Sequence, residues 1–375
     1  MTALVIILTI VLAIVVIIQI GRLSELAAQI RGEKEAEAEV NKRNAYGMVV
    51  FLVMFLVLTI GSAIYYKNSI RWYGPHKAAS AHGSALDNIF NITLFFTGIV
   101  FVITQILLFW YAYKYRRQEG KSALFISHNN KLELIWTALP AIVMTLLVVS
   151  GLDAWNDVMA DVSPEEVPGE DYIEIEATGM QFSWLLRHPG ADGLLGTRNY
   201  QLIDDGTNPL GQDWTDEKNH DDIQPDKIVL PVGKKVRVRI TSRDVLHNFD
   251  LPHFRVKMDA VPGMPTYFVF TPTVTTEQYR KNLGALDKNG DPLYPEWHEL
   301  SDLNDPESLP RWKTFNYELA CAELCGRGHY SMKKIVEVVT EDEYDRWLKE
   351  QTPYYKSTVK VEEVTTEVDS LSLEE

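Results

Sequence analysis

Four long apolar runs in the first 155 residues constrain the fold of this chain more than any other feature. Residues 3–20 (ALVIILTIVLAIVVIIQI), 46–65, 92–113 and 134–155 approach or reach the roughly 20 apolar residues that a helix needs to cross a bilayer. Three of the runs carry amphipathic rings suited to headgroup level, among them Tyr65, Trp110, Tyr111, Tyr113 and Trp155. The first run has no basic side chain ahead of it in Met1-Thr2-Ala3, where a secretion signal would carry one, and reads as a retained anchor. A cytosolic protein is excluded.

Loop charge sets the orientation, because basic residues stay on the cytoplasmic side. The first loop holds Arg22, Arg31, Lys34, Lys42 and Arg43, and the third holds Lys114, Arg116, Arg117, Lys121 and Lys131. The second has only Lys67, Arg71 and Lys77. Loops one and three are therefore cytoplasmic, and both termini lie outside, in a bacterium in the periplasm. The charged stretch 22–43 is expected to be a short cytoplasmic helix serving as a solvated connector.

The rest of the chain is a different material. Residues 1–153 carry 13 Lys/Arg and 9 Asp/Glu, whereas residues 154–375 carry 23 and 42, a net charge of −19. That surplus argues against nucleic acid as a partner and favours a basic one drawn by a long-range field. Hydropathy turns to period two: Ile173, Ile175 and Ala177 alternate with Glu174 and Glu176, and Val236, Val238 and Ile240 with Arg237 and Arg239. Further strands are expected at 266–271, 314–320 and 333–339, which makes a β-sandwich or barrel. Residues 188–227 read as a polar surface loop, 341–350 as a closing helix, and the chain from 352 as a poorly ordered acidic tail. The division is then 1–66 (two helices with a cytoplasmic connector), 85–155 (a helical hairpin), 156–350 (a periplasmic β domain) and 351–375 (the tail).

The chemistry concentrates in twelve residues, Cys321-Ala322-Glu323-Leu324-Cys325-Gly326-Arg327-Gly328-His329-Tyr330-Ser331-Met332. Thiolates and a thioether favour copper, and imidazole suits it too. Zinc would want four N/S ligands and gains little from methionine. A mononuclear copper site needs one cysteine, whereas two cysteines four apart can each bridge a pair of coppers. That pair lacks one imidazole; His247 is the best candidate and His253 the competitor. A Cys321–Cys325 disulfide would leave His329 and Met332 without a role.

Further strings join this set: Asp244-Val245-Leu246-His247, Val256-Lys257-Met258-Asp259-Ala260-Val261-Pro262-Gly263, and Leu132-Glu133-Leu134-Ile135-Trp136-Thr137-Ala138-Leu139-Pro140. With them the chain resembles, over about residues 85–350, subunit II of the haem–copper cytochrome c oxidases, which bears the binuclear CuA centre. The resemblance implies transmembrane α-helices, four here, followed by a cupredoxin-like domain in the bacterial inner membrane. It implies that electrons pass from cytochrome c through CuA to haem in catalytic subunit I, where O2 reduction drives proton pumping. Its partners would be subunit I, other oxidase subunits, cytochrome c and membrane lipid, with a respiratory supercomplex open.

The resemblance assigns residues one at a time. Cys321 and Cys325 would bridge both coppers; His247 and Met332 would complete one, and His329 with the Glu323 carbonyl the other. The Glu323 carboxylate would hold a magnesium or manganese ion at the subunit interface, with Asp259 near it. Glu133 would stand at the cytoplasmic mouth of a proton path, a position that also suits a snorkelling carboxylate. Asp244 would help dock the donor.

Three departures stand out. Phe182, in Gln181-Phe182-Ser183-Trp184, occupies the place of a tryptophan that receives the electron in many members, which leaves Phe182 or Trp184 as its arrival point. Met264 replaces an arginine, and residues 1–65 add two spans. The chain has no Cys-x-x-Cys-His string, so no haem is expected on it. The rival functions are a quinol oxidase subunit, a nitric oxide reductase-type relative, and a membrane copper-delivery or structural protein.

Overall fold

The computed structural model describes residues 2–66 and 78–359, in two compact units: α1, α2 and residues 92–145 form one, and residues 78–91 with 146–359 the other. Helix α1 (Thr2–Arg31) gives way to α2 (Glu33–Tyr65) at Gly32, whose φ of 91° a side chain would resist. The stretch 22–43 is thus helical, but as the ends of two long helices and not as a separate element. Helices α3 (Gly83–Lys114) and α4 (Asn130–Val158) follow. Among the described residues three helices, Lys34–Tyr65, Gly83–Lys114 and Asn130–Val158, are long and apolar enough to cross a membrane; in α1 the apolar stretch Val11–Leu23 is shorter.

Aromatic side chains lock α2 to α3 in antiparallel fashion. Tyr46 meets Tyr113, Phe51 meets Phe109 and Phe55 meets Phe101, at ring-centroid distances of 5.4, 5.6 and 6.0 Å. Beyond this seam Arg117 pairs with Glu37 at 2.5 Å, joining the two loops that charge puts on the cytoplasmic side. Lys67, Arg71 and Lys77 of the second loop lie outside the described residues.

The β domain is two stacked sheets. Strands β1 (Tyr172–Met180), β2 (Ser183–Arg187), β4 (Lys235–Ser242) and β7 (Thr266–Phe270) form one, in the order β2-β1-β4-β7. Strands β3 (Ile228–Pro231), β5 (His247–Leu251), β6 (Val256–Ala260), β8 (Tyr317–Cys321) and β9 (Lys333–Val339) form the other, in the order β3-β9-β8-β5-β6. The alternating residues do what their period demands. Ile173, Ile175 and Ala177 stand beside Val236, Val238 and Ile240 in parallel register and face the core. Fully burying each Val or Ile contributes about 1.5–3 kcal/mol. Helices α5 (Thr276–Leu283) and α6 (Glu341–Glu350) pack onto this core, the latter opened by a Thr340/Glu343 capping box.

Residues 188–227 are irregular, yet they are more than a surface loop. They fold over the outer face of β1–β2 and bury Glu176 and Arg187, so Glu176 is not the solvated side chain its alternation suggests. The Arg187 guanidinium donates from Nε to Glu176 Oε2 (2.8 Å), from Nη1 to Asn219 Oδ1 (2.9 Å) and Asp222 Oδ2 (3.0 Å), and from Nη2 to the Gly196 carbonyl (3.0 Å). Arg198 reaches the other Glu176 oxygen at 2.8 Å. Burial outweighs the Arg187 charge at Asp222 and pushes its carboxyl up to about 7. The tail is also ordered further than expected: Tyr354 N–H donates to the Asp222 carbonyl, and Tyr355 stacks on His220 at 4.2 Å. Residues 360–375 lie outside the described residues.

Candidate metal centre

Strand β8 delivers Cys321 to the core side of its sheet, opposite Phe249, and the chain then loops back to β9 through Gly326, whose φ is 138°. His247 opens β5 with its ring fully buried. Cys321 Sγ lies 3.8 Å from His247 Nδ1, 3.2 Å from the Glu323 carbonyl oxygen and 3.9 Å from Cys325 Sγ. Cys325 Sγ lies 3.6 Å from His329 Nδ1 and 3.9 Å from Met332 Sδ.

Six donors therefore converge, with two sulfurs in the middle. Their 3.9 Å separation is far beyond a sulfur–sulfur bond of about 2.05 Å, and both thiols are free, which removes the disulfide reading. Burial, with Cys321 beside it, pushes the Cys325 thiol up to about 11. Metal binding takes cysteine as thiolate, and a bound cation, whose charge dominates its surroundings, would draw that proton off. A zinc ion would take the two cysteines and two histidines and leave Met332 and the Glu323 carbonyl idle. Copper, which accepts thiolate, thioether and imidazole alike, would use the whole set.

The next layer of residues orients these donors. His247 donates from Nε2 to Asp244 Oδ1 at 2.8 Å, which leaves Nδ1 to face the sulfurs. Asp244 also accepts the Gln181 and Val245 backbone N–H groups, each at 2.7 Å. Burial raises its carboxyl, but these hydrogen bonds outweigh burial and hold it below the usual carboxylate range. Asp244, expected to dock a donor, also holds the ring of the candidate ligand His247. His253 is no ligand: it sits in a cage of Tyr279, Phe315 and Tyr317, where burial lowers it to about 4.

Phe182 is 38% exposed and lies against Gly326 and Gly328 of the cysteine loop. Trp184 is buried, its ring edge-on to Phe249 (5.7 Å) and 6.1 Å from His247. Met264 is exposed. Glu323 turns its carboxylate outward, while Asp259 Oδ1 accepts from Asn248 Nδ2 at 2.6 Å. Glu133 lies in the first turn of α4 and accepts the Asn129 N–H at 3.2 Å, a local capping contact. Sequence reasoning missed Gly179 and gave Gln181 no role beyond heading the Phe182 string; only the folded hairpin brings them to the site.

Two families match this chain: "Cytochrome C oxidase subunit II, transmembrane domain" over residues 72–153 and "Cytochrome C oxidase subunit II, periplasmic domain" over residues 173–279. The second match ends ahead of the cysteine loop, so that loop stands on its own geometry. The alternative cytochrome c oxidase subunit 2 of Bradyrhizobium diazoefficiens is 31% identical over 309 residues, 82% of this chain and 93% of the relative. The cytochrome c oxidase subunit 2 of Thermostichus vulcanus is 24% identical over 74% of this chain and 79% of that one. The crystal structure of the periplasmic domain of subunit II of cytochrome oxidase from Bradyrhizobium japonicum aligns over 49% of this chain and 95% of that chain, at 22% identity and a TM-score of 0.28. The apolar helices, the two-sheet domain, the converging donors, the two family matches and the 31%-identical relative agree: the chain belongs to the cytochrome c oxidase subunit II family.

Proposed function

We propose that this chain accepts electrons from a cytochrome c at a binuclear copper centre and hands them to haem in the catalytic subunit of a membrane-bound terminal oxidase. The observation that carries this reading is the convergence of six soft and imidazole donors around two sulfurs 3.9 Å apart. A bound copper pair would supply one-electron exchange with the charge shared between its two metals. Cys321, Cys325, His247, His329, Met332 and the Glu323 carbonyl are the residues that would hold it. The buried sulfurs and the fixed His247 ring keep this geometry unchanged as the charge alternates, which is preorganisation.

Phe182, exposed and in contact with the cysteine loop, is the arrival point for the electron. The acidic surface of the β domain draws in a basic donor. The outward Glu323 carboxylate, with Asp259, would hold a magnesium or manganese ion at the interface with the catalytic subunit, since oxygen ligands suit a hard cation. Glu133 stands at the cytoplasmic mouth of a proton path. Helix α1 completes a set of four spans, with residues 1–66, 85–155, 156–350 and 351–375 as the working division. The chain carries no haem, and supercomplex partners contact the added α1–α2 pair.

The test is the full-length chain, copper-loaded in detergent. Two coppers per chain and a mixed-valence signal shared over both nuclei are expected; one copper with a mononuclear signal, or none retained, would return the chain to the copper-delivery or structural class. Cys321→Ser is expected to abolish the shared signal and, in the assembled oxidase, to slow cytochrome c oxidation by more than about 100-fold, since electron transfer loses its first acceptor.

A further inference from the structure

The supports of the two halves of the donor set meet in one short turn. Gly179, near the end of β1, faces Trp184 across the hairpin. A Cβ at Gly179 would stand 2.8 Å from Cδ2 and 3.0 Å from Cγ of the His247 ring, closer than carbon atoms tolerate. That ring is buried, held by Asp244 and flanked by Trp184, so it has nowhere to retreat. The Gly179 carbonyl also accepts the Arg243 N–H at 3.0 Å, which ties the hairpin to the segment leading into His247.

Two residues on, Gln181 reaches both sides. Its backbone N–H donates to Asp244 Oδ2 at 2.7 Å, and its side-chain Nε2 donates to the Cys325 carbonyl at 2.6 Å. Phe182 then lies over the loop glycines; a Cβ at Gly328 would stand 2.5 Å from its Cγ. One turn thus bears on His247, Asp244 and the Cys325 loop.

We infer that the β1–β2 turn, Gly179–Phe182, is a positioning clasp for the copper centre: Gly179 leaves the space that seats the His247 ring, and Gln181 links Asp244 to the backbone of Cys325. These are positioning residues, since neither touches a donor's reacting atom. The inference rests on the copper reading above.

It is tested on the full-length, copper-loaded chain with Gly179→Ala and Gln181→Leu. The readouts are the mixed-valence signal, the rate of copper loss to a chelator, and the thermal midpoint of the copper-free protein. Gly179→Ala is expected to change the copper hyperfine coupling and to speed copper loss by more than about tenfold, as loss of an outer-layer partner does. Gln181 is exposed apart from its hydrogen bonds, so Gln181→Leu is expected to keep the copper-free midpoint and still speed copper loss by about tenfold. If Gly179→Ala does not fold, Gln181→Leu decides alone. Wild-type signals and copper loss in the folded variants, or loss that merely tracks a lowered midpoint, would overturn the clasp. A wild-type chain without a mixed-valence pair would instead overturn the copper reading.

Discussion

The β1–β2 hairpin serves two buried polar clusters, and they are built on opposite terms. Where Glu176 faces Arg187 across the strands, the guanidinium spends its donors on two carboxylates, an amide and a carbonyl, with a second arginine completing Glu176. Near the turn, where Gly179 faces Trp184, the donor atoms of Cys321, Cys325, His247, His329 and Met332 face one another at 3.6–3.9 Å. The first cluster sets carboxyl groups against guanidinium groups and holds the fold. The second gathers electron-pair donors with no cation among the side chains, and only a metal completes it. Buried polarity by itself is therefore no mark of a functional site; a shared surplus of one kind of group is.

Breaking the closed cluster should have the largest effect on folding. Arg187→Met takes the only paired guanidinium from buried Asp222 and leaves Glu176 with Arg198 alone, and removing one partner of a buried ion pair costs roughly 3–5 kcal/mol. A thermal unfolding scan should show the midpoint fall sharply, while the copper signal of the folded fraction stays as in wild type. A changed copper signal would mean that the two clusters are one coupled unit.

The open cluster is sharpened at its outer layer. Asp244→Asn keeps the shape but removes the charge behind His247, and a tenfold to hundredfold loss of copper affinity is expected from chelator competition. Were Asp244 a docking residue instead, copper affinity would hold. Only the salt dependence of donor association would then shift, because exposed charges act over a Debye length of roughly 10 Å.

The two regions also differ in how far the sequence reveals them. The copper donors sit in one contiguous string, and their chemistry is in their side-chain types, so all but His247 are legible without a fold. His247 lies 74 residues from Cys321 and is legible only through the resemblance and its place at a strand edge. Long alternating strands such as β1 and β4 announce themselves. Strands β3 and β5 do not, because they are four and five residues long and buried throughout, which erases the period-two signal. The Arg187 cluster was hidden for a related reason: Asn219, Asp222 and Gln212 read as solvated loop residues, and only packing against an outward-facing glutamate turns them into a buried network. Asp244 was legible as a carboxylate beside a ligand but not as its support, since a chain of bonds from Gln181 to His247 has no linear signature.

The smallest effect separates the two clusters by pH. Asp222 is buried with Oδ1 unpartnered, and its carboxyl is pushed up to about 7 from an ordinary 3.8. The folded state therefore prefers it protonated; that stability is fully present below about pH 4 and is lost as pH rises through about 7. His188 acts in the opposite sense. Buried beside Trp347 with both ring nitrogens unpartnered, it is pushed down to about 3, so its contribution is present above about pH 6.5 and is lost as pH falls. In wild type the two trends oppose each other between pH 4 and 6.5. Asp222→Asn removes one of them, so its stability relative to wild type should rise by on the order of 2 kcal/mol between pH 4 and pH 8. Thermal midpoints of both proteins across that range decide the matter. Two parallel curves would show that Arg187 keeps Asp222 ionised throughout, which would make the cluster a fixed ion pair and not a proton-sharing one.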